Sequence, residues 1–338
     1  MVKYTIKRIL MLIPVLLGVS LVVFLIMRVF SPDPAPVVLG EHASTQAMQA
    51  WREAHGLNEP IWLQFIDFLK NAVTGNFGVS YYTNQPVSNE IMSRFPATVE
   101  LAICAIIFAS VFGVLLGVVA AVHKNTFADY ASTLVALAGI SMPIFWLGIL
   151  LILLFTGTLH LLPSTGRIDP MLQPTGGTGL YLWDTLTSGD FEAFGNAVQH
   201  LVMPTLALSL YSMAIITRMT RSSMLDTLNQ DYIRTARAKG ITRRRVIRHH
   251  ALRNAMIPIT TVIGLQFGSL LGGAVLTETV FAWPGIGKYT VECIQKSDFP
   301  VVQAVVLIIA TIYVIINLIV DLIYAFLDPR IKYSKEEG

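Results

Sequence analysis

Apolar runs of about 20 residues alternate along the 338-residue chain with short stretches in which charge collects. A helix needs about 20 mostly apolar residues to cross the hydrocarbon layer of a bilayer. Six segments meet that need: Ile9 to Phe30, Pro96 to Val122, Tyr130 to Leu159, His200 to Thr217, Met256 to Val280 and Val301 to Leu327. The third is long enough to tilt or kink, and Pro143 in "GISMPIFWLG" removes a backbone donor where a kink would fall. The pattern predicts an all-α integral membrane protein with six transmembrane helices. Composition agrees: 54% of residues are hydrophobic and 13% charged, against roughly 25% charged in soluble domains, so most of the surface meets lipid. Lys3, Lys7 and Arg8 ahead of the first run imitate a secretory leader. That run is too long and lacks a small-residue cleavage signal, so it is read as a permanent first span.

The net charge of +3 matters less than where the charges fall. Basic residues are retained on the cytoplasmic side of a membrane. They collect at the N-terminus, at Lys124 after the second span, between spans four and five, and at Arg330, Lys332 and Lys335. In a six-span chain these all lie on one side. Acids mark the other side: Asp33, Glu41, Glu53, Glu59, Asp67 and Glu90 precede span two, and Asp169, Asp184, Asp190 and Glu192 precede span four. Both termini are therefore expected in the cytoplasm.

The connection from Ser31 to Phe95 is too long for a simple loop. A Pro-rich entry, a helix-like stretch from Thr45 to His55 ended by Gly56, and the aromatic "PIWLQFIDFLKNAV" predict a layer of helices lying against the outer membrane face. The outer loop from Leu161 to Gln199 is rich in Gly, Pro and Thr and is expected to be partly irregular. The chain divides into residues 1–30 (first span), 31–95 (outer layer) and 96–338 (core), with a basic cytoplasmic loop at 218–255. Cys104, in an apolar run, and Cys293, placed in a loop, are too sparse for a disulfide framework or a metal site.

The basic loop reads "RTARAKGITRRRVIRHHALRNAMIP" from Arg234 to Pro258. Asp231 is an N-cap candidate, and Gly240 can take the left-handed conformation that ends a helix. Thr242 can cap a second helix with Val246, Ile247, Ala251 and Ala255 as its apolar stripe, and Pro258 stands at the entrance to span five. Arg237 and Lys239 lie near the negative end of the first helix dipole. On charge alone such a hairpin has three readings: attraction to anionic headgroups, nucleic-acid binding, which tethering to two spans disfavours, or docking of a cytoplasmic partner.

The identity of the residues separates these readings. The stretch resembles the EAA loop of ABC importer permeases, the segment whose short coupling helix enters a groove on the ATPase. The family's glycine matches Gly240, its small residues match Ala236 and Thr235, and its proline matches Pro258. Arg234 stands where the family has Glu, and the interval from Gly to Pro is longer, as in the peptide-importer branch. "NFGVSYYTNQPVSNEIMSRFPATVELA", "VFAWPGIGKYTVECIQKSDFPVVQAVVL", "SMPIFWLGILLILLF" and the closing "DPRIKY" are similar to B-type permeases of dipeptide and oligopeptide ABC importers. The resemblance covers nearly the whole chain and implies a type I ABC importer permease fold in the bacterial inner membrane, with dipeptides as cargo. Oligopeptides, glutathione or a metal chelate are alternative cargoes. It further implies a homologous C-type permease, two cytoplasmic ABC ATPase subunits that bind ATP and Mg, and a periplasmic peptide-binding protein, with no nucleic acid. Asp231, Tyr232, Arg234, Ala236, Arg237, Gly240 and Arg244 are the expected ATPase-coupling residues.

No catalytic site, metal site or cofactor is expected in the chain. "PGIGKYT", from Pro284 to Thr290, lacks the spacing of a phosphate loop and reads as an outer turn. Ionisable residues within spans are costly and often functional. Asp321 is read either as an interfacial or packing residue or as part of a translocation pathway, and Glu278 either as a vestibule acid or as a solvated or capping one. Glu100 and Arg28 are expected to pair or snorkel, and His200 to mark a span boundary. Rivals of other classes are a proton-coupled secondary carrier, for which neither midplane ionisable groups nor repeated halves are evident, and a non-transporting membrane scaffold.

Overall fold

A computed structural model describes residues 2–40 and 42–327 of the chain. Glu41 and the closing stretch with Asp328, Arg330, Lys332 and Lys335 lie outside the described residues, as do the side chains of Lys3 and Lys7. Among the described residues the secondary structure is helical, apart from one isolated bridge between Val79 and Pro86. Five helices are long and apolar enough to cross a membrane, or six if a pair bent by 105° counts as one span. They are α1 (Val2–Val29), α5 (Val87–Val122), the pair α6 (Phe127–Ser141) and α7 (Ile144–Thr158), α9 (Phe191–Leu228), α11 (Arg243–Gly273) and α14 (Phe299–Leu327).

Five of the six predicted spans correspond to single helices and the third to the bent pair, with different ends. Span two starts at Val87 rather than Pro96, and span five continues back to Arg243, because Pro96 and Pro258 lie inside their helices. Proline breaks helices in water, but within a bundle neighbouring groups satisfy the carbonyls it frees. Span four runs over 38 residues, from an Asp190 cap whose side chain accepts the Ala193 N–H, so His200 lies inside it rather than at its edge. Pro143 does more than kink span three. Met142, held extended by the proline that follows, separates α6 from α7 at 105°. At the other end of span five, α11 stops at Gly273, and α12 (Val275–Val280) and α13 (Ile286–Gln295) lead to α14.

The segment expected to form an outer layer holds three short helices: α2 (Pro34–Leu39), α3 (Thr45–Ala54) and α4 (Ile61–Val73). Ser44 and Asp33 cap α3 and α2 through their side chains, and Arg52 bonds Asp33 to hold the two helices together. α4 packs on α1 through Phe65 and Phe68, whose rings lie 5.3 and 6.0 Å from that of Phe24. The second outer loop is irregular except for a short 3-10 turn at Pro170–Leu172 and α8 (Tyr181–Ser188).

At the centre, α5 and α9 share the most extensive contact in the chain, and α11 packs across both. A stripe of small residues runs down α5 at every fourth position: Ala105, Ala109, Gly113, Gly117 and Ala121. Lipid tails are as apolar as leucine, so helices in a membrane associate through close packing, and small residues permit it. At Gly117 the approach is limiting, because a Cβ there would lie 2.5 Å from Thr220 Cβ and 2.7 Å from the Thr217 carbonyl oxygen. Gly18 on α1 has open space in the same position.

Gly117→Ala is therefore expected to destabilise the protein by about 1–3 kcal/mol by overpacking, although alanine is the better helix former. Gly18→Ala is expected to be neutral or slightly stabilising. Thermal unfolding of the two purified variants in detergent checks this, and equal melting temperatures would contradict the packing account.

Candidate functional site

The basic segment folds as a helical hairpin at one end of the central helices. α10 (Asp231–Ala238) follows α9 after a two-residue turn. The N-cap is Gln230, not Asp231, which takes the first helical position and still places a negative charge at the positive end of the helix. Gly240 has φ +74°, a left-handed conformation, and the Ile241 N–H returns to the Ala236 carbonyl. This is the glycine stop predicted from sequence. Thr242 precedes the next helix, but its side chain makes no capping bond. That helix does not end before the span. It passes through a π-helical stretch at Val246–Ala251 and continues as α11 into the membrane.

An eight-residue helix is not stable on its own in water; here an apolar underside holds it. Ile233 and Ala236, one turn apart, are buried against Val246, Ala251, Ala255 and Ile259 of α11, Met224 of α9 and Ala121 of α5. Two bonds reinforce the position: Asn254 Nδ2 donates to the Tyr232 hydroxyl at 2.8 Å, and Arg243 Nη2 to the Val122 carbonyl at 3.3 Å. The opposite face is open. Asp231, Tyr232, Arg234, Arg237, Gly240 and Arg244 are all exposed, joined by Lys239, Arg243, Arg245 and Arg248. Asp231 and Arg234 pair loosely, 3.4 Å apart. One coupling candidate differs from the rest, because Ala236 is 7% exposed and faces the core. Ile233 was missed altogether. The spacing Ile233–Ala236, in step with Val246, was the signal that marked the anchored face. Of the basic residues between spans four and five, Arg218 and Arg221 belong to α9, and Arg221 forms a two-pronged pair with Asp129 of α6 at 2.7 and 2.8 Å.

At the far end of the same helices lies a buried clasp. Glu278 is not a solvated acid; it is fully buried. Its Oε1 accepts from the Thr98 hydroxyl at 2.6 Å and its Oε2 from the Lys288 N–H at 2.9 Å. Thr98 Oγ1 also accepts the Ile286 N–H, and Trp283 Nε1 donates to the Ala97 carbonyl. The sequence around Pro284 thus forms a turn stitched to α5. Beside it, Glu100 pairs with Arg167 as expected of a residue near a span end, but both side chains are 6% exposed. Arg167 Nε donates to Glu100 Oε2 at 2.9 Å and Nη2 to the Gly179 carbonyl at 2.7 Å, while Glu100 Oε1 accepts the Leu182 N–H at 2.7 Å. The sequence reading gave Arg167 no role, because its partner lies 67 positions away.

A third set joins α13 to the outer layer. Tyr289 donates to Glu90, and Asp298 accepts from the Ser80 hydroxyl and the Tyr81 N–H. Burial pushes the Asp298 carboxyl above the usual range, although these hydrogen bonds oppose it. Cys293, expected in a loop, is buried on α13, and burial raises its thiol to about 12, which leaves it unreactive at neutral pH. Asp321 lies 2.9 Å from Arg8 and ties α14 to α1. Among the described residues no group of three or more His, Cys, Asp or Glu could hold a metal ion.

A bundle of apolar helices long enough to span a bilayer, with an anchored polybasic hairpin at one end and a buried polar clasp at the other, defines a multi-pass membrane component. The chain belongs to the family of binding-protein-dependent transport system inner membrane components, whose family model matches residues 113–333, with the corresponding N-terminal family matching residues 1–102. It is 50% identical to the dipeptide transport system permease protein DppB of Alkalihalophilus pseudofirmus, over 98% of this chain and all of that one. It is 44% identical to the di/tripeptide transport system permease protein DppB of Pseudomonas aeruginosa and 43% identical to the dipeptide transport system permease protein DppB of Escherichia coli. Both of those alignments cover 99% of this chain and all of the relative. The protein is a multi-pass permease subunit of an ABC transport system in the inner membrane.

Removing one partner of a buried ion pair leaves the other charge uncompensated, at a cost of about 3–5 kcal/mol, whereas replacing both with apolar groups is often neutral. Arg167→Met is accordingly expected to lower the thermal unfolding temperature sharply, and the double variant Glu100→Leu/Arg167→Met to recover most of the loss. If the double variant is no more stable than the single one, the pair is not the source of the loss.

Proposed function

We propose that this chain imports dipeptides as the B-type permease of an ATP-driven importer, and that the hairpin from Asp231 to Arg253 receives the work of ATP hydrolysis. Its partners are a homologous C-type permease, two cytoplasmic ABC ATPases that bind ATP and Mg, and a periplasmic peptide-binding protein. The dipeptide cargo is supported by the names of the relatives, which align over their whole length. Both termini and the hairpin are cytoplasmic in this reading, in keeping with the clustering of basic charge.

The observation that carries the coupling role is the two-sidedness of α10. Its underside is welded to the core through Ile233 and Ala236, while Tyr232, Arg234 and Arg237 are open to a partner. A load on the exposed face therefore passes into α9 and α11 without a flexible joint. Closure of the ATPases would shift these spans and alternate access between the two sides. Asp231, Tyr232, Arg234, Arg237, Gly240 and Arg244 form the docking face in this scheme, and Ala236 acts through packing. Glu278 holds the outer turn in place and Asp321 secures α1, so neither is needed to bind cargo. A wide, weakly binding path suffices when a separate protein selects the substrate, since tight binding within it would slow release.

Proline cannot adopt φ +74°, so Gly240→Pro breaks the turn between α10 and α11. The reconstituted assembly carrying this variant is expected to lose most ATP-dependent dipeptide uptake and the stimulation of ATPase activity by the loaded binding protein, while the subunit still inserts. Unchanged uptake with normal stimulation refutes the coupling role. Uptake that survives ATP depletion but not loss of the proton gradient refutes the ATP-driven reading.

A further inference from the structure

A cavity of about 450 Å³ lies between the outer end of α1, the outer helical layer and the first turn of α14. Pockets that hold small ligands span roughly 300–1,000 Å³. Neither the hairpin nor the clasp contributes to it.

Its polar groups are incomplete. Among the described residues, seven buried side-chain polar atoms lack a hydrogen-bond partner, and three of them belong to residues that line this cavity: Arg28 Nε, Gln303 Nε2 and Gln64 Oε1. Gln303 is 7% exposed and Gln64 9%. The Gln64 amide is oriented by its own donors, because Nε2 bonds the carbonyls of Leu57 at 3.2 Å and Glu59 at 2.6 Å. Its oxygen is therefore the group left over. Arg28 lies between the rings of Phe24 and Phe299, at 5.7 and 5.5 Å, and pairs with no carboxylate among the described residues. A half-buried guanidinium without an anion is costly, and ring faces only partly offset the cost. Asp298 is nearby in the fold, but its oxygens are taken by Ser80 and Tyr81.

The arrangement has a polarity. Two buried donors without a partner, one of them cationic, and one buried acceptor without a partner belong to residues that line this one cavity. The acids Glu59 and Asp67 line the exposed part. A carboxylate satisfies Arg28 and Gln303, because guanidinium and amide donors both match its oxygens. An ammonium group satisfies the Gln64 oxygen and the acidic rim. We propose that this cavity is a binding site for a small zwitterion with a free carboxylate and a free ammonium group, an amino acid or a dipeptide. The site belongs to the outer layer and not to the path between the spans, and it rests on the cavity's own geometry rather than on the transport reading. Water can occupy a polar cavity of this size, but water does not neutralise Arg28.

The test uses the full chain in lipid nanodiscs without partner subunits, titrated with dialanine, dialanine amide and N-acetyl-dialanine, with binding read by calorimetry. Dialanine is expected to bind saturably, about tenfold or more weaker to Arg28→Gln and to Gln303→Leu, a loss equivalent to about 1.4 kcal/mol or more. Dialanine amide, which lacks the carboxylate, is expected to lose as much on the wild-type chain, and N-acetyl-dialanine to be weakened as well. Absence of saturable dialanine binding overturns the proposal and leaves water as the occupant. Binding that neither variant weakens also overturns it, because the peptide is then held elsewhere in the chain. Should Arg28→Gln fail to fold, as judged by thermal unfolding, Gln303→Leu decides the matter. Dipeptide uptake by the reconstituted assembly is scored separately, so loss of this site and failure of the transport reading give different results.

Discussion

The contact between α5 and α9 is the constraint on which the rest of the molecule depends. The small residues at every fourth position of α5 let the two backbones approach until Gly117 has no room for a single carbon. Two helices locked that closely move as one body. α11 lies across both, and α6 packs against α9, so the core spans are referenced to this pair. The helices before α5 and α1 itself attach through aromatic contacts, the half-buried Arg8–Asp321 pair and the Asp298 bonds to Ser80 and Tyr81.

Each end of that helix pair carries a different kind of construction. At the outer end Ala97, Thr98 and Glu100 of α5 hold the turn before α13 and the loop around Arg167 through buried, fully engaged polar groups. In a bilayer such groups have no water to fall back on, so satisfying them within the protein makes that end rigid. At the inner end the contacts are apolar: Ala121 and Met224 receive Ile233 and Ala236 from beneath the hairpin. Apolar packing tolerates a shift in register better than an interlocked set of hydrogen bonds does, because it is not directional. The coupling role proposed for the hairpin suits this division, with directional bonds at one end of the helix pair and apolar packing at the other.

The charges follow the same logic. Cations that need solvent or a partner protein stand exposed on the hairpin, while those within the membrane region are answered in the chain: Arg221 by Asp129 and Arg167 by Glu100. Arg28 departs from the pattern, with ring faces in place of a carboxylate. Arg94 also lies over a ring, that of Tyr289 at 4.0 Å, but it bonds the Glu90 carbonyl as well, whereas Arg28 Nε has no hydrogen-bond partner.

The sequence alone determined the all-helical membrane class, the helices between α1 and α5 and the glycine-stopped basic hairpin. These depend on local properties: run length, composition and the left-handed backbone that Gly240 supplies. It misplaced the starts of spans two and five, where Pro96 and Pro258 lie inside their helices rather than at the ends. It likewise took Asp231 for a cap that Gln230 provides. What only the tertiary structure decided was the fate of individual polar groups. Glu278 reads as a near-surface acid until Thr98, 180 positions earlier, closes over it. Arg167 looks incidental until it meets Glu100, and Ala236 looks like a docking residue until the core takes its side chain. Such outcomes depend on which distant segments meet, and periodicity within one segment carries no record of that.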